Sequence, residues 1–324
     1  MKTLLKCLTL ALIALAAHAQ QPTTPLATPI KTAIVPDTSL LNSRVKISLK
    51  DGTDLIGILQ SMSGQNIFLK SDNIGEITVD MANVVSIKKI EGVSVNGQFW
   101  FENPNSTRYF WAPSAFSLRK REAYYQNAYV VVNSVTVGVT DNFTMGGGLV
   151  LIPGGGISRT PQVLFFTPKY SFPSKSKVKF GIGTIAVVTF TPNYNFSSSY
   201  SGSLTRTSTD VNLTGIVYGN VTFGTKEKNF TAGLGYGFLN GSFASSPVIN
   251  LSYMNRFSKN FAFVSENWII VANNTTGGIF SGGIRILGER LSVDLALLAP
   301  AFEGINDFYY FPYVGAVYKF GKLK

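Results

Sequence analysis

One cysteine and one histidine occur in the 324 residues, Cys7 and His18, and both precede residue 20. The remainder has neither, which excludes a disulfide framework and the metal sites and nucleophile–base pairs that need thiolate or imidazole. Beyond residue 20 no run of 18 apolar residues occurs, so no helical membrane span is expected. Charge is sparse at 14%, and the net +11 is uneven. Residues 106–324 hold 19 Lys and Arg against 9 Asp and Glu, whereas residues 44–91 hold 6 of each. Against these absences stand 45% hydrophobic and 13% aromatic residues, too many for a disordered chain.

The first residues, MKTLLKCLTLALIALAAHAQ, place Lys2 and Lys6 before an apolar run from Leu8 to Ala17 and a small-residue site at Ala17-His18-Ala19. This is the pattern of a signal peptide, expected to end at residue 19. Its removal would take away both Cys7 and His18. Residues 20–43 are rich in Pro and Thr and read as a linker.

Residues 44–91 carry period-two patterns broken by turn residues. Val45, Ile47 and Leu49 alternate with polar residues up to Asp51-Gly52, a hairpin signal; further strands are expected at Leu55–Met62, Ile67–Lys70, Ile77–Met81 and Val84–Ile90. Five short strands in so few residues suggest a small barrel-like domain. In the spacing V-x-I-x-L-x-D-G and in Gly57 of the second strand, this segment resembles the Sm-like fold, with SH3-like barrels as the related alternative. RNA binding is not implied: Asn66 could stand in the family's base pocket, but Ser86-Ile87-Lys88-Lys89 replaces its Arg-Gly pair. A spacer or docking module is the expectation, after which residues 92–105 form a connector.

From residue 106 to 324 long stretches rich in Gly, Phe, Tyr and Val are separated alternately by short turns and longer polar loops. The short turns fall at 140–142, 173–177, 224–229, 258–260 and 288–290, and the loops at 153–160, 191–209, 240–246, 273–277 and 300–307. That alternation is expected of an antiparallel transmembrane β-barrel in an outer membrane, short turns toward the periplasm. Phe143, Phe172, Phe180, Phe223, Phe230, Phe257 and Phe261 lie beside the short turns, where an interfacial aromatic girdle belongs, and Phe320 ends the last strand likewise. About twelve strands are expected, Arg108–Leu118 being the first, with ten as the alternative because Pro113 weakens that strand. The fold class is thus all-β, a transmembrane barrel preceded by a small five-stranded β-domain in the periplasm.

Parity sends one set of side chains to lipid and the other to the lumen. Lys169, Lys179, Arg256, Glu266, Arg285 and Asp294 fall on the lumen face, and Arg285 and Asp294 are expected to pair across a hairpin. Ile185, Val187 and Trp268 share that face, so parts of the interior could be closed by packed side chains.

The runs N-P-N-x-T-R-Y-F at 103–110, S-A-F-S-L-R-K at 114–120, Y-Y-Q-N at 124–127 and G-V-T-D-N-F-T-M-G-G-G at 138–148 resemble a family of uncharacterised outer-membrane β-barrel proteins of bacteroidete-type envelopes. The resemblance implies a fold and a location and brings no activity. No enzyme is expected: imidazole is missing, and Glu266 and Asp294 lie on different hairpins. The triplets Gly146–Gly148 and Gly154–Gly156 lack the Lys-Ser or Lys-Thr ending and following helix of a phosphate loop. No cofactor, metal or nucleic acid is expected. The expected partners are outer-membrane lipid, small solutes, an unknown periplasmic partner of residues 44–91, and lipopolysaccharide phosphates for Arg119-Lys120-Arg121 if that loop faces outward. Residues 191–209, rich in Tyr, Asn and Ser, suit an exposed adaptable surface. Two functions are open: a barrel that admits or binds small solutes, and a non-transporting barrel that anchors the small domain.

Overall fold

A computed structural model describes residues 38–72, 74–95, 97–151, 162–197, 203–272, 275–303 and 309–321. The expected signal peptide and nearly all of the linker lie outside the described residues. The small domain is a sheet of five antiparallel strands, β1 (Arg44–Leu49), β2 (Asp54–Ser63), β3 (Asn66–Ser71), β4 (Gly75–Asp80) and β5 (Val84–Lys89), in the order β4-β3-β2-β1-β5. Asp51 Oδ1 accepts the Thr53 amide at 2.8 Å and Gly52 takes φ +86°, which closes the first hairpin as its Asp-Gly step requires. Val45, Ile47, Leu59, Ile67 and Leu69 form the fully buried core. Gly57 fits only as glycine, since a Cβ there would lie 2.5 Å from the Lys70 carbonyl oxygen.

A short hairpin, β6 (Gly92–Val95) and β7 (Gln98–Phe101), follows. Then come β8 (Glu122–Ala128), β9 (Val132–Gly138), β10 (Phe143–Val150), β11 (Gln162–Phe166), β12 (Lys169–Ser171), β13 (Val178–Ser197) and β14 (Ser203–Gly224). The chain ends with β15 (Lys228–Leu239), β16 (Ser242–Arg256), β17 (Phe261–Ala272), β18 (Thr275–Leu287), β19 (Leu291–Phe302) and β20 (Phe311–Gly321). Each pairs antiparallel with the next, β11 and β12 being two pieces of one strand around Pro168, and β20 returns to β8 with Gly321 opposite Glu122. The result is a closed barrel of twelve strands.

Twelve is the expected number, but its composition differs. Arg108–Leu118 is not a barrel strand, and the barrel begins at Glu122. The missing strand comes from residues 122–138, which fold back on themselves at Tyr129–Val131. Strands also reach further than the polar loops suggested: β13 and β14 pair from Val178 opposite Phe223 up to Ser197 opposite Ser203, and Asn240-Gly241 alone turns β15 into β16. A membrane-crossing strand needs about 9–11 residues, so the β13–β14 arm, at 20 and 22 residues, extends well past that height. Of the expected polar loop, 191–197 and 203–209 are strand, and 198–202 lie outside the described residues.

The outer face is apolar. Val135, Val137, Ile182, Val217, Leu234 and Leu295 are exposed there. Phe172, Phe180, Phe223, Phe230, Phe257 and Phe261 are exposed as well, beside the short turns. The small domain and the chain's return at Gly321 sit at that same end, where Lys46 Nζ lies 3.5 Å from Glu289 Oε2 in the β18–β19 turn.

Candidate functional site: a plugged lumen with a chamber above the plug

The segment between β7 and β8 enters the barrel from the small-domain end, turns, and leaves by the same end. Its tip is a tight reversal: Tyr109 N donates to Ala112 O at 2.9 Å, Ser114 N to Thr107 O at 3.0 Å, and Arg108 bridges Pro113. Tyr109, Phe110, Ala112, Ala115 and Leu118 are buried. The first two pack with Met254, Val264, Leu287 and Tyr313 of the wall. Because this backbone is irregular, the N–H and C=O groups left over from that reversal have no regular ladder to join and find partners on the wall.

Those partners are the charged side chains that parity sends inward. Glu266 Oε2 accepts the backbone amides of Phe110, Trp111 and Ala112, each at 2.8 Å, and its Oε1 accepts the Trp268 indole N–H at 2.7 Å. Lys169 Nζ donates to three carbonyls of the segment, Ser114 at 2.8 Å, Phe116 at 2.5 Å and Thr107 at 3.2 Å. Arg285 donates to the carbonyls of Asn105 and Tyr109 at 2.7 Å and is held by Asp294, directly opposite in the register, at 2.6 and 3.0 Å. Neutral side chains complete the set: Thr222 accepts from Ala115 N at 2.8 Å, and Asn220 donates to Pro113 O at 2.7 Å. A Cβ at Gly138 would lie 2.1 Å from the Arg119 carbonyl, so the exit of the segment also needs a glycine in the wall.

Of the six polar positions expected in the lumen, four converge on this plug: Lys169, Glu266, Arg285 and Asp294. The other two do not. Arg256 anchors the connector at the base, donating to the Phe101 carbonyl and to Glu227 at 2.7 Å, with its guanidinium 5.0 Å over the Trp100 ring. Lys179 is half-buried near the same end and donates to the Ser174 carbonyl. Sequence reasoning did not find the plug itself, although Asn103-Pro104-Asn105 and Pro113 are poor strand residues and neither Lys169 nor Glu266 faces a counter-ion directly across the ladder. Arg119-Lys120-Arg121 lies at the small-domain end, away from the long β13–β14 arm. There Arg119 pairs with Glu91 and Glu102.

Glu102 gathers the connector. Lys226 donates to it at 2.5 Å, Arg119 at 3.1 Å, and Lys319 lies 3.7 Å away. Burial pushes its carboxyl up, but the three cations outweigh burial and hold it below the usual carboxylate range.

Beyond the plug, on the side away from the small domain, the lumen contains a chamber of about 900 Å³. Its floor is Trp111 at the plug's tip with Trp268 and Glu266; Ile216, Val248, Ile279 and Leu298 form its sides. The apolar inner-face residue Trp268 thus lines a space instead of closing the barrel. Tyr129, placed by the strained turn after β8, stands at its edge with its ring 5.4 Å from Tyr313 and nearly perpendicular to it.

No family model and no curated protein sequence matches this chain. Among solved structures, the outer-membrane expressed OmpT of Vibrio cholerae is similar at 10% identity over 86% of this chain and 95% of its own, with a TM-score of 0.32. The CymD monoaromatic hydrocarbon channel is similar at 11% identity over 63% of this chain and 90% of its own, also with a TM-score of 0.32. Likenesses this distant carry no argument here; the architecture rests on the strand ladder.

Proposed function

We propose that the chain is an outer-membrane β-barrel, closed at mid-depth by its own residues 103–118, that admits small solutes from the far side into the chamber and binds them there. The chamber carries this reading. Lipid is the solvent that suits the exposed apolar face and aromatic girdle, because a water-soluble barrel would not leave so large an apolar belt uncovered. In this reading residues 1–19 direct export and residues 44–91 sit in the periplasm beneath the barrel, their partner unidentified.

The filled lower lumen favours a second reading, a barrel that only anchors the small domain. The two differ in whether solutes reach Trp111. Trp100, Trp111 and Trp268 are the only tryptophans, so Trp100→Phe leaves emission from the chamber alone. Collisional quenching by acrylamide, a small neutral solute, is expected to approach that of an accessible indole. Quenching as slow as for a core tryptophan overturns the solute reading and leaves the anchor. In a planar bilayer the intact protein is expected to show no steady open conductance, and replacing residues 107–117 by a short Gly-Ser linker to open one. An intact protein that conducts like an unobstructed twelve-stranded pore refutes the plug.

A further inference from the structure

We infer that the chamber takes an uncharged, largely apolar molecule, a reading of ligand class that rests on the solute-binding function above. The wall leaves few polar groups available to a ligand. Among the described residues Glu266 is the one charged residue of the lining, and both of its oxygens are engaged: three plug amides occupy Oε2 and the Trp268 indole occupies Oε1. Ser281 Oγ donates to the Glu266 backbone carbonyl and is likewise engaged.

The other lining side chains are aliphatic or aromatic, among them Ile216, Val248, Ile270, Ile279, Leu298 and Phe311. The Trp111 indole and the Tyr129 hydroxyl are the remaining polar groups, both able to donate to a neutral carbonyl or ether oxygen. An ionic ligand would lose its hydration here without gaining a counter-charge, and a sugar would lose several hydrogen bonds for at most two. An apolar ligand loses nothing comparable and releases water from the wall. The charged residues nearby hold the plug and are unavailable for recognition, so the wall selects against charge chiefly by offering no unengaged counter-charge.

A matched set of quenchers tests this, because bromine quenches indole emission on contact. The Trp100→Phe protein in lipid nanodiscs is titrated with bromobenzene, 4-bromobenzoate and 4-bromobenzylammonium. Saturable quenching by bromobenzene is expected at a concentration at least tenfold below either ion. Filling the chamber with Ile279→Phe and Leu298→Phe, which add no polar group, is expected to weaken that saturation at least tenfold. Equal quenching of the filled variant means bromobenzene acts from the lipid, and overturns the inference. So does preferred saturation by either ion, or no saturation by any of the three while acrylamide still reaches the tryptophans; in these cases the chamber stands and the ligand class falls. Shielding from acrylamide as well removes the solute-binding reading itself.

Discussion

The lower and upper halves of the lumen are built from the same strands and obey opposite rules. On β17 the inward positions run Val264, Glu266, Trp268 and Ile270; on β16 they run Ser252, Asn250 and Val248; on β14 they run Thr222, Asn220, Tyr218 and Ile216. Beside the plug these positions are buried and mix polar with apolar side chains, and within one or two inward steps toward the chamber they become apolar and partly exposed. The plug explains the boundary. Below it an irregular backbone presents unpaired amides and carbonyls that polar side chains satisfy, and above it, among the described residues, the lumen is lined by ladder-paired strands. Polarity in this lumen marks the presence of protein, whereas in an open pore it would mark water.

The sharpest way to break that comparison is to remove one inward side chain from each half. Arg285 is fully buried, paired with Asp294 and bonded to plug carbonyls, so Arg285→Met strands a carboxylate and those carbonyls. A loss of about 3–5 kcal/mol is expected from broken buried pairs of this kind. Arg285→Met with Asp294→Leu is expected to recover part of it, giving a coupling well above zero in a double-mutant cycle read from urea unfolding in nanodiscs. Leu298→Ala, facing the chamber, opens no new enclosed cavity and is expected to cost about 1 kcal/mol or less, below the usual range for core leucines. If Leu298→Ala proves as damaging as Arg285→Met, the upper half is packed and the distinction fails.

Much of this was legible beforehand, for reasons that can be named. Two-faced strands reveal their parity, so Ile284, Ile286, Leu295 and Leu297 on one face of the last hairpins fixed Arg285 and Asp294 on the other. The Glu289-Arg290 turn put them directly opposite. The plug was hidden because Arg108–Leu118 has the aromatic content of a strand, and alternation does not distinguish a segment within the barrel from one in its wall. The chamber was hidden for a different reason: Trp268 and Ile279 facing inward are compatible with a packed centre or a lined space, and only the height of the plug decides. The β8–β9 turn carries no Gly or Pro, so the stretch from Ala123 to the short turn at 140–142 reads as one strand.

A smaller effect sharpens the same comparison at the plug's root. The Glu102 carboxylate is stabilised in the folded state by Lys226, Arg119 and Lys319, so its folded pKa lies below its unfolded value. Its contribution is therefore complete above pH about 4.3 and is lost as pH falls through the lowered folded value. Charge-assisted bonds of this kind are worth about 1.5–3 kcal/mol. Glu102→Gln is expected to be less stable than the parent at pH 7, and the gap is expected to shrink toward zero as pH is lowered below 4. A gap that stays constant with pH would mean that Glu102 acts by shape and not by charge, and that the root is not an electrostatic clamp.

The smallest expected effect belongs to the upper half, at the turn that places Tyr129 beside the chamber. Tyr129 and Val130 take φ of +54° and +67°, and for Val, whose Cβ carries two heavy atoms, that region is crowded. Such a conformation costs roughly 1–2 kcal/mol for a residue with a Cβ and persists because the surroundings hold it. Asn127 and Asn133 donate to the Val130 carbonyl at 3.0 and 3.4 Å, and Tyr129 N donates to Val314 O at 3.0 Å. The Val130 side chain is two-thirds exposed and contributes little packing in return. Val130→Gly relieves the crowding but frees the unfolded chain, and Val130→Asn, which tolerates this region, avoids that second effect. Val130→Asn is accordingly expected to raise stability by about 1 kcal/mol, and Val130→Gly by less, with chamber quenching unchanged in both because the backbone bonds that orient Tyr129 remain. Destabilisation by both variants would show that the valine is held by contacts stronger than its strain, and a change in quenching would show that the turn, and not the plug, sets the shape of the chamber.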